Sequence, residues 1–200
     1  TLTGTRWRFG AHQLYQGAGC ATIEAGSAAA DRATSGAITA PAGSFTIEVD
    51  FALGAQHAMV DATSIATLLI LSNGARYVFI NLCVPGQGAY AGINATGTEV
   101  VAQAITVAPS RLGRNIKHHA AMVVDIVAHT VAFWLDGELI ASATDATHVV
   151  ALPSSGTWTL SLVGPATNVS VPLSAGTLLV SNVARDATYL RAAADALRLR

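Results

Sequence analysis

The chain has 200 residues, 52% of them hydrophobic and 12% charged, with a net charge of −1. Globular proteins average about 25% charged residues, so either most strands are covered on both faces or part of the surface meets a partner. The eleven basic residues are scattered and include a single lysine, Lys117, which excludes the clustered cationic face that nucleic acid demands.

The longest apolar runs, such as 66–71, fall far short of the roughly 20 residues a bilayer span needs, so no membrane span is expected. The first residues carry no apolar signal-peptide stretch, and a mature or truncated start stays open. The length suits one all-β domain over residues 1–200.

In chain order, strand-like segments fall at 5–9, 20–24, 37–40, 44–53, 66–72, 75–84, 89–93, 99–104, 118–127, 131–135, 139–143, 157–163 and 176–183. Short strands at this spacing indicate a sandwich or barrel. Segment 25–31, rich in Ala, Gly and Ser, reads as a flexible loop. Segment 44–51 alternates cleanly: Phe45, Ile47, Val49 and Phe51 face one side, and Thr46, Glu48 and Asp50 the other. Segments 68–71 and 122–127 are nearly continuous apolar runs, as expected of strands covered on both faces. Asn73-Gly74 and Asp136-Gly137, each between two such segments, are the dipeptides favoured in tight hairpins because they tolerate positive φ, and a further short turn falls at Ala128-His129. The tail changes period. Residues 186–197 form a short helix with Asp186 as N-cap and Tyr189, Leu190, Ala193 and Leu197 on one stripe.

Cys20 and Cys83 both sit in apolar strand patterns. One disulfide and two buried thiols are both open, with buried thiols the preferred reading. Their spacing excludes a zinc site. His118 and His119 are adjacent, so in a strand they point to opposite faces and cannot share one metal; one is expected to cap the core edge, the other to be exposed. A joint site would need His129, Asp125 or Asp136. No cofactor is expected, although calcium is possible through Asp61, Asn73, Asn94 or Asp145.

Lys117-His118-His119-Ala120-Ala121-Met122-Val123-Val124-Asp125, followed by Phe133-Trp134-Leu135-Asp136-Gly137, resembles the "W-H-H-V-A-V-x-x-D … L-Y-V-D-G" signature of the laminin-G-like and concanavalin A-like superfamily. Ser44-Phe45-Thr46-Ile47-Glu48-Val49-Asp50-Phe51 is similar to its "F-T-I-E-F-W-V" strand, and 177–197 to its closing strand and brief helix. The motifs keep the family order over most of the chain. Lys117 replaces the aromatic before the histidines, which marks a distant member, and 39 alanines with ten Arg to one Lys favour a bacterial or phage origin. The resemblance implies an all-β fold, a two-sheet antiparallel β-sandwich (concanavalin A-like jelly roll) with a short C-terminal helix. It also implies sugar, protein or lipid binding, or adhesive and structural roles on cell surfaces and virions.

Retaining glucanases of that superfamily carry "E-[ILV]-D-x-x-E". Glu48 and Asp50 match, but Leu53 stands where the second glutamate belongs, and retaining hydrolysis needs two carboxyl groups roughly 5–5.5 Å apart. The plainer reading of Glu48 and Asp50 is a polar outer strand face. No nucleophile elbow, phosphate loop or H-E-x-x-H occurs. If Phe133 faces the core, Trp134 faces outward, either under a neighbouring segment or as a ligand platform. Tyr90, among glycines and alanines, is the better exposed aromatic. The leading expectation is therefore a non-catalytic, lectin-like recognition module for a glycan or protein, extracellular, on a cell surface or in a virion. Trp134, Tyr90, Glu48 and Asp50 are its ligand-binding candidates. The alternative is a structural phage-virion component, for decoration or tail, that buries apolar surface in a homo-oligomer. A glycoside hydrolase ranks third.

Overall fold

The computed structural model describes residues 2–3, 7–12, 15–23, 32–39, 41–53, 65–74, 76–83, 89–95, 97–104, 116–152, 156–163 and 173–199. These form two antiparallel sheets. Sheet I runs β1 (Leu2–Thr3), β4 (Arg32–Ser35), β14 (Thr157–Val163), β7 (Ile65–Ser72), β8 (Tyr77–Cys83), β9 (Ala89–Ala95) and β10 (Thr98–Ala104), with β5 (Ile38–Thr39) also pairing β14. Sheet II runs β13 (Glu138–Thr144), β12 (Thr130–Leu135), β11 (Lys117–Asp125), β6 (Phe45–Leu53), β15 (Leu173–Ser181), β3 (Tyr15–Ile23) and β2 (Trp7–His12). Two helices follow strands: α1 (His148–Ala151), a single turn, and α2 (Ala187–Arg198).

The two-sheet sandwich and the C-terminal helix expected from the sequence are both present. Strands β1 and β4 and helix α1 were not foreseen. Arg-Ala-Thr-Ser in β4 has no apolar alternation to announce a strand; its place comes from the ladder, with Thr34 opposite both Thr3 and Ser161. The segment 25–31 lies outside the described residues. So do the side chains of Cys20, in β3, and Cys83, in β8.

Alternation decides which side chains meet between the sheets. Phe45, Ile47, Val49 and Phe51 of β6 are all buried there against Leu69, Leu71, Ile80 and Ile93 of sheet I. Strand β11 is buried along seven consecutive residues, His118 to Val124. Ala120, Met122 and Val124 join the main core, while Ala121 and Val123 join a second cluster with Leu190 of α2. The apolar run therefore marks a strand covered on both faces. The helix supplies the outer cover, through buried Leu190, Ala194 and Leu197. Its apolar stripe is thus centred one position past the expected Ala193, with Tyr189 and Ala193 at the margin.

Three turns fix the register. At the β12–β13 corner Leu135 pairs with Glu138 across Asp136 (φ 53°) and Gly137 (φ 81°), the two-residue loop with both centres positive that a D-G pair favours. The Asn73-Gly74 pair turns the chain inside a longer loop: Ser72 pairs with Tyr77, and the Asn73 side chain accepts from Arg76 N–H. Residues 126–129 join β11 to β12, with His129 at φ 57°. There the Asp125 carboxylate accepts from the N–H groups of Val127 and Ala128 and from Ser44 Oγ. The Ala128 N–H, ahead of the other donors, holds the Asp125 carboxyl below the usual carboxylate range.

Two outcomes follow. A Cβ at Gly137 would sit 2.9 Å from Arg191 Cα in α2, so Gly137→Ala combines a left-handed backbone with a clash and should cost about 2–4 kcal/mol in urea unfolding. Because the Asp125 pKa is depressed on folding, its contribution is present above the unfolded carboxyl pKa and is lost as pH falls through the folded one. Wild type should therefore lose stability below about pH 4. Asp125→Asn should flatten that part of the stability profile.

Candidate functional site

The four candidate residues fall on two outer surfaces. Glu48 and Asp50 of β6 share the outer face of sheet II, and Trp134 of β12 lies on the same face. Tyr90 of β9 is on the outer face of sheet I. The sandwich therefore brings Glu48 and Asp50 together and keeps Tyr90 apart from them.

On sheet II, β6 does have a polar outer face, but solvent does not reach most of it. Thr46 and Glu48 are buried, the latter 5% exposed. Thr46 Oγ1 donates to Val183 O (2.8 Å) and accepts from Arg185 N–H (2.9 Å), so it fastens the segment that leads into α2. Asp186 caps that helix as expected, accepting from Tyr189 N–H at 2.8 Å. The Arg185 guanidinium lies 4.2 Å from the centre of the Tyr189 ring.

The two histidines do point to opposite faces, but neither is exposed; both are 3% accessible. His118 faces inward, with its ring 5.3 Å from Phe51. Its Nδ1 is 2.8 Å from Asp136 Oδ2, while Asp136 Oδ1 accepts from the His119 N–H at 3.0 Å and Asp136 N–H donates to His119 O at 2.8 Å. The Asp-Gly turn is thus clamped onto β11. His119 faces outward, and its Nε2 is 3.1 Å from Glu48 Oε2. The remaining atoms of this buried pair, Glu48 Oε1 and His119 Nδ1, have no protein partner. Glu48, Asp50 and His119 line one side of a half-open pocket of about 290 Å3 beside α2, bordered by Thr177, Leu179, Tyr189 and the alanine face of the helix.

Trp134 faces outward opposite Ala121, as expected with Phe133 in the core. It is half-buried and packs with Ala121, Val123 and Leu190 beside α2.

On sheet I, register builds a second site. Phe79 pairs with Gly92, Asn81 with Tyr90 and Tyr77 with Asn94, so side chains two apart on β8 and β9 share the outer face. Phe79 meets Tyr90 edge to face at 5.7 Å and Tyr77 at 5.9 Å. Gly92 makes this possible: a Cβ there would come within 2.8 Å of Phe79 Cζ. The Tyr77 hydroxyl donates to Glu99 on β10, and this bond, followed by burial and the carboxylate charge, raises the Tyr77 pKa. Asn81 is 8% exposed and its Oδ1 has no protein partner. With Thr67, Ser72, Thr159 and Ser161 these residues line a hollow of about 560 Å3. Tyr77, Phe79, Asn81 and Glu99 were not singled out in the sequence. Alternation along 77–81 and 90–94 carried the signal, but pairing between the two strands was needed to read it.

Of the possible calcium donors, Asn94 is buried in β9 and Asn73 sits in its hairpin. Asp145 caps Thr147 and His148 N–H groups and bonds His148 Nδ1. Asp61 lies outside the described residues. Among the described residues no three His, Cys, Asp or Glu side chains are grouped to hold a metal ion, and no helix is long and apolar enough to cross a membrane.

No protein-family model and no curated protein matches the chain. Solved structures do. The chain is similar to the binding domain of botulinum neurotoxin DC in complex with rat synaptotagmin II, with TM-score 0.71 and 10% identity over 98% of this chain and 46% of that one. It is also similar to the binding domain of Paraclostridial mosquitocidal protein 1, with TM-score 0.70 and 10% identity over 98% and 47%. A botulinum neurotoxin type C structure, described as showing cell entry dependent on two ganglioside molecules, matches with TM-score 0.70 and 10% identity over 98% and 46%. At this identity the likeness is one of fold, and the chain spans about half the length of these structures.

Asp136 serves both histidines and the turn. Asp136→Ala removes the acceptor of a buried histidine ring and of the His119 N–H and should cost about 2–4 kcal/mol in chemical denaturation. Asp136→Asn, which tolerates the positive φ and keeps an acceptor, should cost less than half of that.

Proposed function

We propose that the chain is a non-catalytic recognition module that binds a glycan across the outer face of sheet I. The observation that carries this is the Tyr77, Phe79 and Tyr90 cluster in one hollow with Asn81, Glu99, Thr159 and Ser161. A sugar ring offers an apolar C–H face and a rim of hydroxyls. Aromatic side chains suit the first and amide, carboxylate and hydroxyl groups the second. Asn81, 8% exposed, brings an amide to the lining of the hollow, where its exposed edge suits a hydroxyl of the ligand.

Catalysis does not fit this hollow, whose described lining holds one carboxylate, Glu99, where glycoside hydrolysis uses two. Glu48 is likewise engaged by His119 under α2. The resemblance to laminin-G-like and concanavalin A-like domains supports the reading, as do structures of similar fold described with gangliosides and with SialylT. The complex with synaptotagmin II makes a protein ligand the second form of the same reading.

Glycan-array screening followed by calorimetry tests it. A hit is expected to lose about tenfold in affinity on Tyr90→Ala, near 1.4 kcal/mol, and a similar amount on Asn81→Ala, with unfolding midpoints close to wild type. Failure to bind any glycan, or binding indifferent to both substitutions, would sink the proposal.

A further inference from the structure

We infer that the hollow on sheet I is selective for uncharged glycans and that Glu99 sets this selectivity. Its carboxylate holds the Tyr77 ring in place as a stacking surface and repels sugars that carry a carboxylate or a sulfate. The inference rests on the glycan reading above and narrows it to one class of ligand.

The geometry begins with one row across three strands. Tyr77 of β8 and Glu99 of β10 both pair with Asn94, on the strand between them. Neighbouring strands lie about 4.8 Å apart, so the backbones of Tyr77 and Glu99 are separated by roughly 10 Å. The Tyr77 hydroxyl nevertheless donates to Glu99 Oε1. Both side chains therefore lie down across β9 instead of standing off the sheet, and Asn94, over which they pass, is 8% exposed. The same bond raises the Tyr77 pKa, which keeps the hydroxyl a donor at neutral pH. A ring that would otherwise turn about its side-chain torsions is thus fixed along the face of the sheet, beside Phe79.

The charge of Glu99 acts separately from its acceptor role. Glu99 is exposed, and among the described residues its carboxylate meets the Tyr77 hydroxyl and no cation. A carboxylate has about four lone-pair sites and no donor, so after serving Tyr77 it still accepts from ligand hydroxyls. The described lining holds no lysine or arginine. Hydroxyl groups of Thr67, Ser72, Thr159 and Ser161 stand on the β7 and β14 side, and the carboxylate on the β10 side. Arg76 precedes Tyr77 without lining the hollow, and Arg32 is on β4, five strands from β10. A neutral sugar brings hydroxyls, which donate as well as accept. A uronic, sialic or sulfated sugar brings an anion toward an anion. Two like charges about 4 Å apart in water repel enough to change an affinity roughly fivefold, and salt weakens the effect.

A glycan array is read first by charge, and hits are expected among uncharged glycans. Calorimetry at low salt then compares an uncharged hit with the same glycan carrying a sialic acid or a sulfate, as in lactose against sialyllactose. The neutral member is expected to bind about fivefold more tightly, with the gap narrowing as salt is raised. Glu99→Gln keeps an acceptor for the Tyr77 hydroxyl and removes the charge. It should hold the neutral glycan within about twofold of wild type and bring the acidic member level with it. Glu99→Ala releases the ring as well and should weaken the neutral glycan about fivefold. Tyr77→Phe cuts the same bond and leaves the charge, so it should weaken the neutral glycan and preserve the discrimination. Hits confined to acidic glycans, or a gap that survives Glu99→Gln, would overturn this inference and leave glycan recognition standing. An array without hits would overturn the glycan reading and this inference with it.

Discussion

The outer faces of β6 and β11 set the terms for this molecule. Both strands are already covered on the inside by sheet I, and the outside of β11 carries Ala121 and Val123 as well. Those apolar groups cannot be left to water without forfeiting about 25 cal/mol per Å2, so α2 is a structural necessity. The polar groups on the same face are spent on placing it. Thr46 ties the connector, Asp186 starts the helix, and Gly137 leaves room for Arg191 to pass over the Asp-Gly turn.

That cover explains how much could be read from the letters. Strand positions followed from period-two alternation, and β14 falls on the expected residues. The two-sided burial of β11 followed from an uninterrupted apolar run, and α2 from its period and its cap. Glu48 misled for a physical reason. Alternation assigns a residue to a face but does not say what lies over that face, so a glutamate among outward polar residues reads as solvated until the His119 ring and the flank of a helix about 140 residues later are set beside it. The same limit hid His119. As neighbours in a strand, His118 and His119 had to diverge, but their partners, Asp136 from a turn and Glu48 from the adjacent strand, are set by cross-strand register.

The site on sheet I was hidden by a related limit. Tyr90 stands out because small residues flank it, yet its neighbours Phe79 and Asn81 come from another strand, and Glu99 from a third. A β-sheet site is assembled across the strands, perpendicular to the chain, where the letters are far apart. Gly92 shows the constraint most directly: opposite Phe79, its missing side chain leaves the space that the ring occupies between two tyrosines. Residues that look like spacers in the sequence are here what shapes the aromatic surface.

The two outer faces thus have opposite fates on one scaffold. Sheet I keeps a lined hollow open to solvent, with its polar groups arranged around aromatic rings. Sheet II closes its face with a helix and traps an imidazole and a carboxylate beneath it. A fold of this kind hosts many functions, and the likeness to toxin binding domains at 10% identity conveys architecture alone. What distinguishes this chain is where it leaves hydrogen-bonding capacity unspent. Among the described residues Asn81 Oδ1 on one side, and Glu48 Oε1 with His119 Nδ1 on the other, are buried polar atoms without a protein partner, as are Trp158 Nε1 and Arg185 Nε. Asn81 lines the hollow of sheet I, and Glu48 and His119 line the pocket beside α2, so on both faces a buried polar group of the scaffold borders a recess.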